Sequence, residues 1–133
     1  MVAHGTIAFD TLTTSDQAHT GTEKSIDTSY LFNGVSKFWV KWNGTGTAAE
    51  SDSFNSSGLT DNDTGDTTFG FTTNMGNANY SLTTSNSSAE ANNSQTGMVT
   101  AATSSIRMDT RSGANDANLD TSKNSAQING DLA

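Results

Sequence analysis

The amino-acid sequence predicts an all-β protein. Short strands between turns are typical of a sandwich or a barrel, and we assign the chain to an antiparallel β-sandwich of jelly-roll-like type. Three observations lead to the all-β fold class. First, the chain contains six Phe, two Trp and two Tyr but no Pro, whereas disordered chains are rich in Pro and poor in aromatic residues. Second, 22 Thr, 18 Ser, 14 Asn and 12 Gly combine a residue that favours strands with residues that favour turns. Third, short apolar runs alternate with a period of two, and no window of about 11 residues keeps a helical apolar stripe.

The first 35 residues are predicted to form an N-terminal attachment segment. It consists of one strand at residues 6–12 and a polar loop at 13–28, and the short apolar run Tyr30, Leu31 and Phe32 closes it. No composition break indicates a second large domain, so residues 36–133 are assigned to the sandwich.

Within the sandwich, residues 37–42 show the clearest alternation. Phe38, Val40 and Trp42 share one face of the predicted strand, and Trp39 lies on the other. Further strands are predicted at 68–72, at 80–84, once or twice within 98–110, and at 125–132. Polar loops are predicted at 85–97 and 112–124, and clusters of Asn, Asp and Gly predict turns at 43–46, 61–66 and 74–77.

Composition excludes several classes of site. The chain has no Cys, which excludes disulfides, Cys-ligated zinc, iron–sulfur clusters and a thiol nucleophile. A net charge of −8 argues against nucleic-acid binding. No apolar run is long enough for membrane insertion, and the N-terminus lacks the basic and apolar regions of a secretory signal.

The small apolar content predicts self-association. Ile, Leu, Val and Phe together number only 20 residues. The burial of so few apolar side chains must offset a loss of conformational entropy that costs about 1.5 kcal/mol per ordered residue. Burial between identical chains would relieve this shortage. The predicted subunit contact is Trp39, with Trp42 and Phe38 beside it; the alternative is that a loop of the same chain covers Trp39.

Candidate chemistry is sparse, and no enzyme or cofactor is predicted. His4 and His19 are the only imidazoles, and no nucleophile elbow accompanies them. Asp61, Asp63 and Asp66 form a weak calcium candidate, because they lack the regular spacing and closing Glu of a calcium loop; a solvated turn is the alternative. Trp39, Trp42 and Tyr80 are the aromatic candidates for sugar binding, and core packing is the simpler reading of each.

Three sequence strings resemble a domain of bacteriophage virion proteins, found at tail-fibre ends and in small virion proteins of marine phages and cyanophages. They are WVKWNGTGT at 39–47, DSFNSSGLTDNDTGDTTFGFTTNM at 52–75 and NANYS at 77–81. Residues 9–16, 24–30 and 128–131 resemble other parts of such proteins. The resemblance covers most of the chain, is strongest over 36–85, and supplies no binding residue.

The resemblance implies a homotrimeric, non-enzymatic virion structural protein, assembled in the host bacterial cytoplasm and displayed on the virion exterior. A tail-fibre or tail-tip component that contacts host surface glycan is the first expectation; a capsid decoration or head-fibre protein is the second. Other virion proteins are the expected partners, with attachment through the apolar side chains of the N-terminal segment: Phe9, Tyr30, Leu31 and Phe32.

Overall fold

The structure is a computed structural model that describes residues 11–13, 25–87 and 94–132. The chain divides into two compact units, residues 1–35 and residues 36–133. Phe9 and most of the strand predicted at 6–12 lie outside the described residues.

The N-terminal unit contains two short strands and a helix. Strands β1 (Thr11–Thr13) and β2 (Ser25–Asp27) pair antiparallel, and helix α1 (Thr28–Gly34) follows directly. The prediction of one strand plus a polar loop missed β2 and the helix. The helix begins because the Asp27 carboxylate accepts a hydrogen bond from the Ser29 amide at 2.7 Å, which satisfies a free N–H of the first turn. Its seven residues are too few to show helical periodicity.

The second unit is an antiparallel β-sandwich of two four-stranded sheets, which confirms the predicted fold class. One sheet has the order β4-β3-β10-β7 and the other the order β5-β6-β9-β8. The strand bounds are β3 Phe38–Asn43, β4 Ala49–Phe54, β5 Ser56–Asp63, β6 Asp66–Phe71, β7 Ser81–Asn86, β8 Gln95–Ala101, β9 Ser105–Arg111 and β10 Asn124–Asn129. The region 98–110, predicted as one or two strands, is the hairpin of β8 and β9.

The core lies between the two sheets and is built by alternation on their central strands. Buried apolar side chains come from β3, β6, β9 and β10, with additions from the segment between β6 and β7: Phe38, Val40, Trp42, Phe69, Phe71, Met75, Tyr80, Ile106, Met108, Ala126 and Ile128. Phe38 and Phe71 form an edge-to-face ring pair with centroids 5.1 Å apart. Trp42 and Phe69 form another at 5.0 Å, so aromatic residues join the two sheets.

The chain changes sheets at Asn55, between β4 and β5. Asn55 has a φ of 61°, a left-handed conformation that Asn tolerates better than most residues. Its side-chain amide donates to the carbonyls of Lys37 and Thr73 at 2.9 and 3.0 Å, and its side-chain oxygen accepts from the Thr73 amide at 2.7 Å. These bonds hold the corner that directs β5 into the second sheet.

The core position of Phe38 and Trp42 corrects the predicted subunit contact. Phe38 is 0% exposed and Trp42 is 3% exposed, because both point between the sheets of their own chain. A second subunit therefore has no access to either side chain, and the prediction was wrong for these two residues. Of the three, Trp39 alone points away from the core.

Candidate functional site

A groove crosses the outer face of the β4-β3-β10-β7 sheet. Strand pairing places Lys41 opposite Ser125 on β10, and Ser125 opposite Ser85 on β7. These three residues line both of two adjoining depressions, of about 290 and 490 Å³. We refer to the two depressions together as the outer groove.

Trp39 lies at one end of the outer groove. It pairs across the sheet with Gln127, which pairs with Thr83, and all three line the smaller depression. On its other side Trp39 pairs with Phe54, which is 50% exposed. Trp39 is half-buried, so part of its ring meets solvent beside amide and hydroxyl groups.

Two lysines line the rest of the groove. Lys41 lies in the row next to Trp39, opposite Ser125, and both Lys41 and Lys123 line the larger depression. The Ser87 amide donates to the Lys123 carbonyl at 2.8 Å, so the pairing of β7 with β10 continues one residue past Asn86 and Asn124. Lys123 is two residues from Ser125, the partner of Lys41, so the two lysines are diagonal neighbours across the sheet.

Short polar side chains lie beside Lys41 in the middle of the groove. The hydroxyls of Ser85 and Ser125 are hydrogen-bonded at 2.8 Å, which orients two groups that each donate and accept. No Asp or Glu is among the described residues that line the outer groove. The described lining therefore presents hydroxyl, amide, ammonium and indole groups, a set suited to binding a polar ligand.

The arginines lie on the opposite sheet and are neutralised there. Arg107 forms a two-pronged ion pair with Asp66, with its Nε 2.7 Å from one carboxylate oxygen. This hydrogen bond from Arg107 lowers the pKa of Asp66 below its usual value of 3.8. Arg111 pairs with Asp109 at 2.6 Å and with Asp116 at 3.2 Å.

Two of the three carboxylates of the predicted calcium candidate make other contacts. Asp66 is the partner of Arg107, and the Asp63 carboxylate accepts a hydrogen bond from the Thr64 amide at 2.7 Å. Within residues 11–13, 25–87 and 94–132, no three His, Asp or Glu side chains are placed to hold a metal ion. These contacts engage two of the three carboxylates, and Asp66 is buried rather than solvated.

A second cleft, of about 250 Å³, brings two carboxylates together. Asp109 and Asp116 both line it, and a glycosidase needs such a pair across a sugar-sized space. Arg111, however, lies between them and binds both. Both carboxylates of this cleft are therefore engaged by one arginine in the structure.

The structure describes two of the four predicted attachment side chains. Tyr30 and Phe32 are 73% and 60% exposed on α1. The side chain of Leu31, like Phe9, lies outside the described residues. No helix within the described part of the chain is long and apolar enough to cross a membrane.

The sequence strings on which the resemblance rests contain residues that stabilise turns and the core. In NGTGT, the Asn43 side chain accepts hydrogen bonds from the Thr45 amide and hydroxyl at 2.9 and 2.8 Å. In NANYS, the Tyr80 hydroxyl donates to the carbonyl of Ser105 at 3.1 Å or to that of Ala102 at 3.2 Å, and burial raises the pKa of Tyr80. These contacts therefore stabilise the fold, and they do not indicate a ligand.

Sequence reasoning missed the outer groove itself. Lys41 and Lys123 are distant in sequence and meet only because the first and last strands of the sandwich pair. The one signal in the sequence was the outward position of Trp39 and Lys41 in the alternating run 37–42.

Comparison with protein-family models, with curated proteins and with solved structures gives no significant match to this chain.

Proposed function

We propose that this chain is a non-enzymatic bacteriophage virion protein, a tail-fibre or tail-tip component that contacts host surface glycan through the outer groove. The observation that carries the binding role is the half-buried Trp39 beside the amide of Gln127 and the hydroxyls of Thr83 and Ser125. The assignment to a virion rests on the sequence resemblance over residues 36–85.

The chemistry of the outer groove matches a sugar better than it matches another protein surface. An indole offers a flat apolar face with a polar edge, which suits the C–H face of a pyranose ring. Serine, threonine and amide side chains both donate and accept hydrogen bonds, as sugar hydroxyls do. Subunit interfaces, in contrast, are apolar at their centres, whereas the neighbours of Trp39 in the groove are mostly polar.

The N-terminal unit is proposed to attach the sandwich to another virion protein. Its helix exposes Tyr30 and Phe32, and Ile26 and Val35 are 40% and 48% exposed. Exposed apolar side chains in one short segment are typical of a contact surface. The proposal keeps the homotrimer, whose contacts then lie outside the outer groove.

Retention on immobilised bacterial envelope polysaccharide tests the binding role. A panel from several bacteria is used, and Trp39→Ala is compared with the wild type. Met98→Ala is the matched control, because Met98 is 47% exposed on β8, an edge strand of the opposite sheet. Loss of retention in Trp39→Ala alone supports the role. Failure of the wild type to bind any member of the panel overturns it.

Imaging of virions that carry a C-terminal label tests the location. Label on the tail supports the proposal. Label on the head overturns the tail assignment in favour of a capsid decoration or head-fibre protein, and unlabelled particles overturn the virion assignment.

A further inference from the structure

We infer that the glycan bound in the outer groove is anionic, a polysaccharide bearing carboxylate, sulfate or phosphate groups. This inference rests on the proposed function and adds the chemical class of the ligand. The juxtaposition that carries it is Lys41 and Lys123 in one depression whose described lining contains no acid.

The concentration of positive charge is unusual for this chain. It has six Lys and Arg against 14 Asp and Glu, yet two of the six line one depression. A cleft lined by one sign of charge raises the local concentration of the opposite ion.

The two arginines contrast with these lysines. Arg107 and Arg111 are bound to aspartates on the opposite sheet. Among the described residues, no ion pair within 4.0 Å involves Lys41 or Lys123. The nearest acid in the strand register is Asp52, opposite Lys41 on β4, and its carboxylate accepts the Ser53 amide at 2.9 Å.

The groove places sugar recognition and charge recognition side by side. Trp39 and Gln127 offer a stacking face and an amide at one end, Lys41 lies in the next cross-strand row with the hydroxyls of Ser85 and Ser125, and Lys123 lies beyond them. A ligand that fills the whole groove therefore presents a ring face at one end and anionic substituents over the rest of its length. A neutral chain would leave both ammonium groups without a partner.

Binding to dextran and to dextran sulfate tests the inference, because the two polysaccharides share a backbone and differ in charge. The variants are Lys41→Gln and Lys123→Gln. Arg111→Gln is the matched control, since it removes the same charge from the opposite sheet. Each lysine variant is expected to weaken dextran sulfate binding about tenfold, and the control to leave it unchanged. Binding to dextran sulfate is also expected to weaken as salt rises.

The outcomes separate this inference from the proposed function. Equal binding of the two polysaccharides, with no effect of either lysine variant, overturns the anionic class and leaves glycan binding intact. Equal weakening by Arg111→Gln also overturns it, because net charge rather than the groove would then be responsible. Binding to inorganic polyphosphate as tight as to dextran sulfate overturns sugar recognition in the groove. Binding to none of the three overturns the inference, and the envelope panel decides separately whether the proposed function also fails.

Discussion

Trp39 and Trp42 lie three residues apart on β3 and point to opposite faces of the same sheet. Trp42 packs in the core against Phe69, with ring centroids 5.0 Å apart, and borders the larger depression with only 3% of its surface exposed, whereas the half-buried Trp39 points away from the core and lines the smaller depression. The two indoles therefore belong to different parts of the molecule, one to its stability and one to its proposed binding face.

The first prediction concerns the stability of the two tryptophan variants. Trp42→Ala removes a fully packed side chain and is expected to lower the free energy of unfolding by about 3–5 kcal/mol. Trp39→Ala removes an outward side chain and is expected to cost about 1 kcal/mol or less. Urea unfolding measures both, and equal losses would contradict the assignment of Trp39 to a binding face.

The second prediction compares two glycines with the same backbone conformation. Gly46 and Gly65 have φ of 69° and 66°. A Cβ at Gly46 would meet open space, but at Gly65 it would lie 2.5 Å from the Thr110 carbonyl oxygen and 2.6 Å from the Leu119 amide nitrogen.

Gly46→Ala is therefore expected to cost only the left-handed strain of about 1–2 kcal/mol, and Gly65→Ala to cost more. Thermal unfolding of the two variants measures the difference. The packing of the 64–65 turn against residues 110 and 119 would be contradicted if the two melting temperatures fell by equal amounts.

The third prediction is an acid-dependent loss of stability through Asp66. Its pKa is lowered in the folded protein by the hydrogen bond from Arg107, so folding is favoured by the ionised form. The contribution of the ionised Asp66 to the free energy of unfolding is fully present above pH 3.8, the usual pKa of an Asp side chain. It is lost as pH falls through the lower pKa that Asp66 has in the folded protein.

Asp66→Asn is expected to flatten this acid limb of the stability curve. Denaturant unfolding over a series of acid pH values compares it with the wild type. Identical pH dependence of the two proteins would show that the Asp66–Arg107 pair contributes nothing to it.

The fourth prediction is the oligomeric state. The small apolar content of the chain predicts self-association, and the resemblance to phage fibre-end domains implies a homotrimer, with a native mass about three times 13.9 kDa. Because Trp39 is assigned to the outer groove, Trp39→Ala should leave this mass unchanged. A stable monomer at high dilution contradicts the trimer, and a monomer produced only by Trp39→Ala places that ring at a subunit contact instead.

The strands could be predicted where alternation was strong and local. Residues 37–42 predicted both the strand β3 and the faces of its side chains, because successive side chains of a strand point to opposite faces and the alternation is visible in neighbouring residues. Helix α1 was missed because its start depends on one capping contact at Asp27 rather than on a repeating pattern.

The candidate site was less accessible from the sequence, for a different reason. Lys41 and Lys123 come together only through the pairing of β3 with β10, and strand order is not encoded in local composition. The same limit explains the error over Phe38 and Trp42: alternation assigned them a common face, but only the second sheet shows that this face is the interior of the sandwich.

The proposed glycan-binding role of the outer groove depends most directly on Trp39 being the aromatic residue that contacts the ligand. Titration of Trp39→Phe and Trp42→Phe with the envelope polysaccharide that the wild type retains, followed by tryptophan fluorescence, tests this claim. We expect a large change of emission in the wild type and in Trp42→Phe, where Trp39 remains in the groove, and a much smaller change in Trp39→Phe, where the remaining indole borders the larger depression but is only 3% exposed. A change that persists in Trp39→Phe and disappears in Trp42→Phe would contradict the outer groove as the binding face.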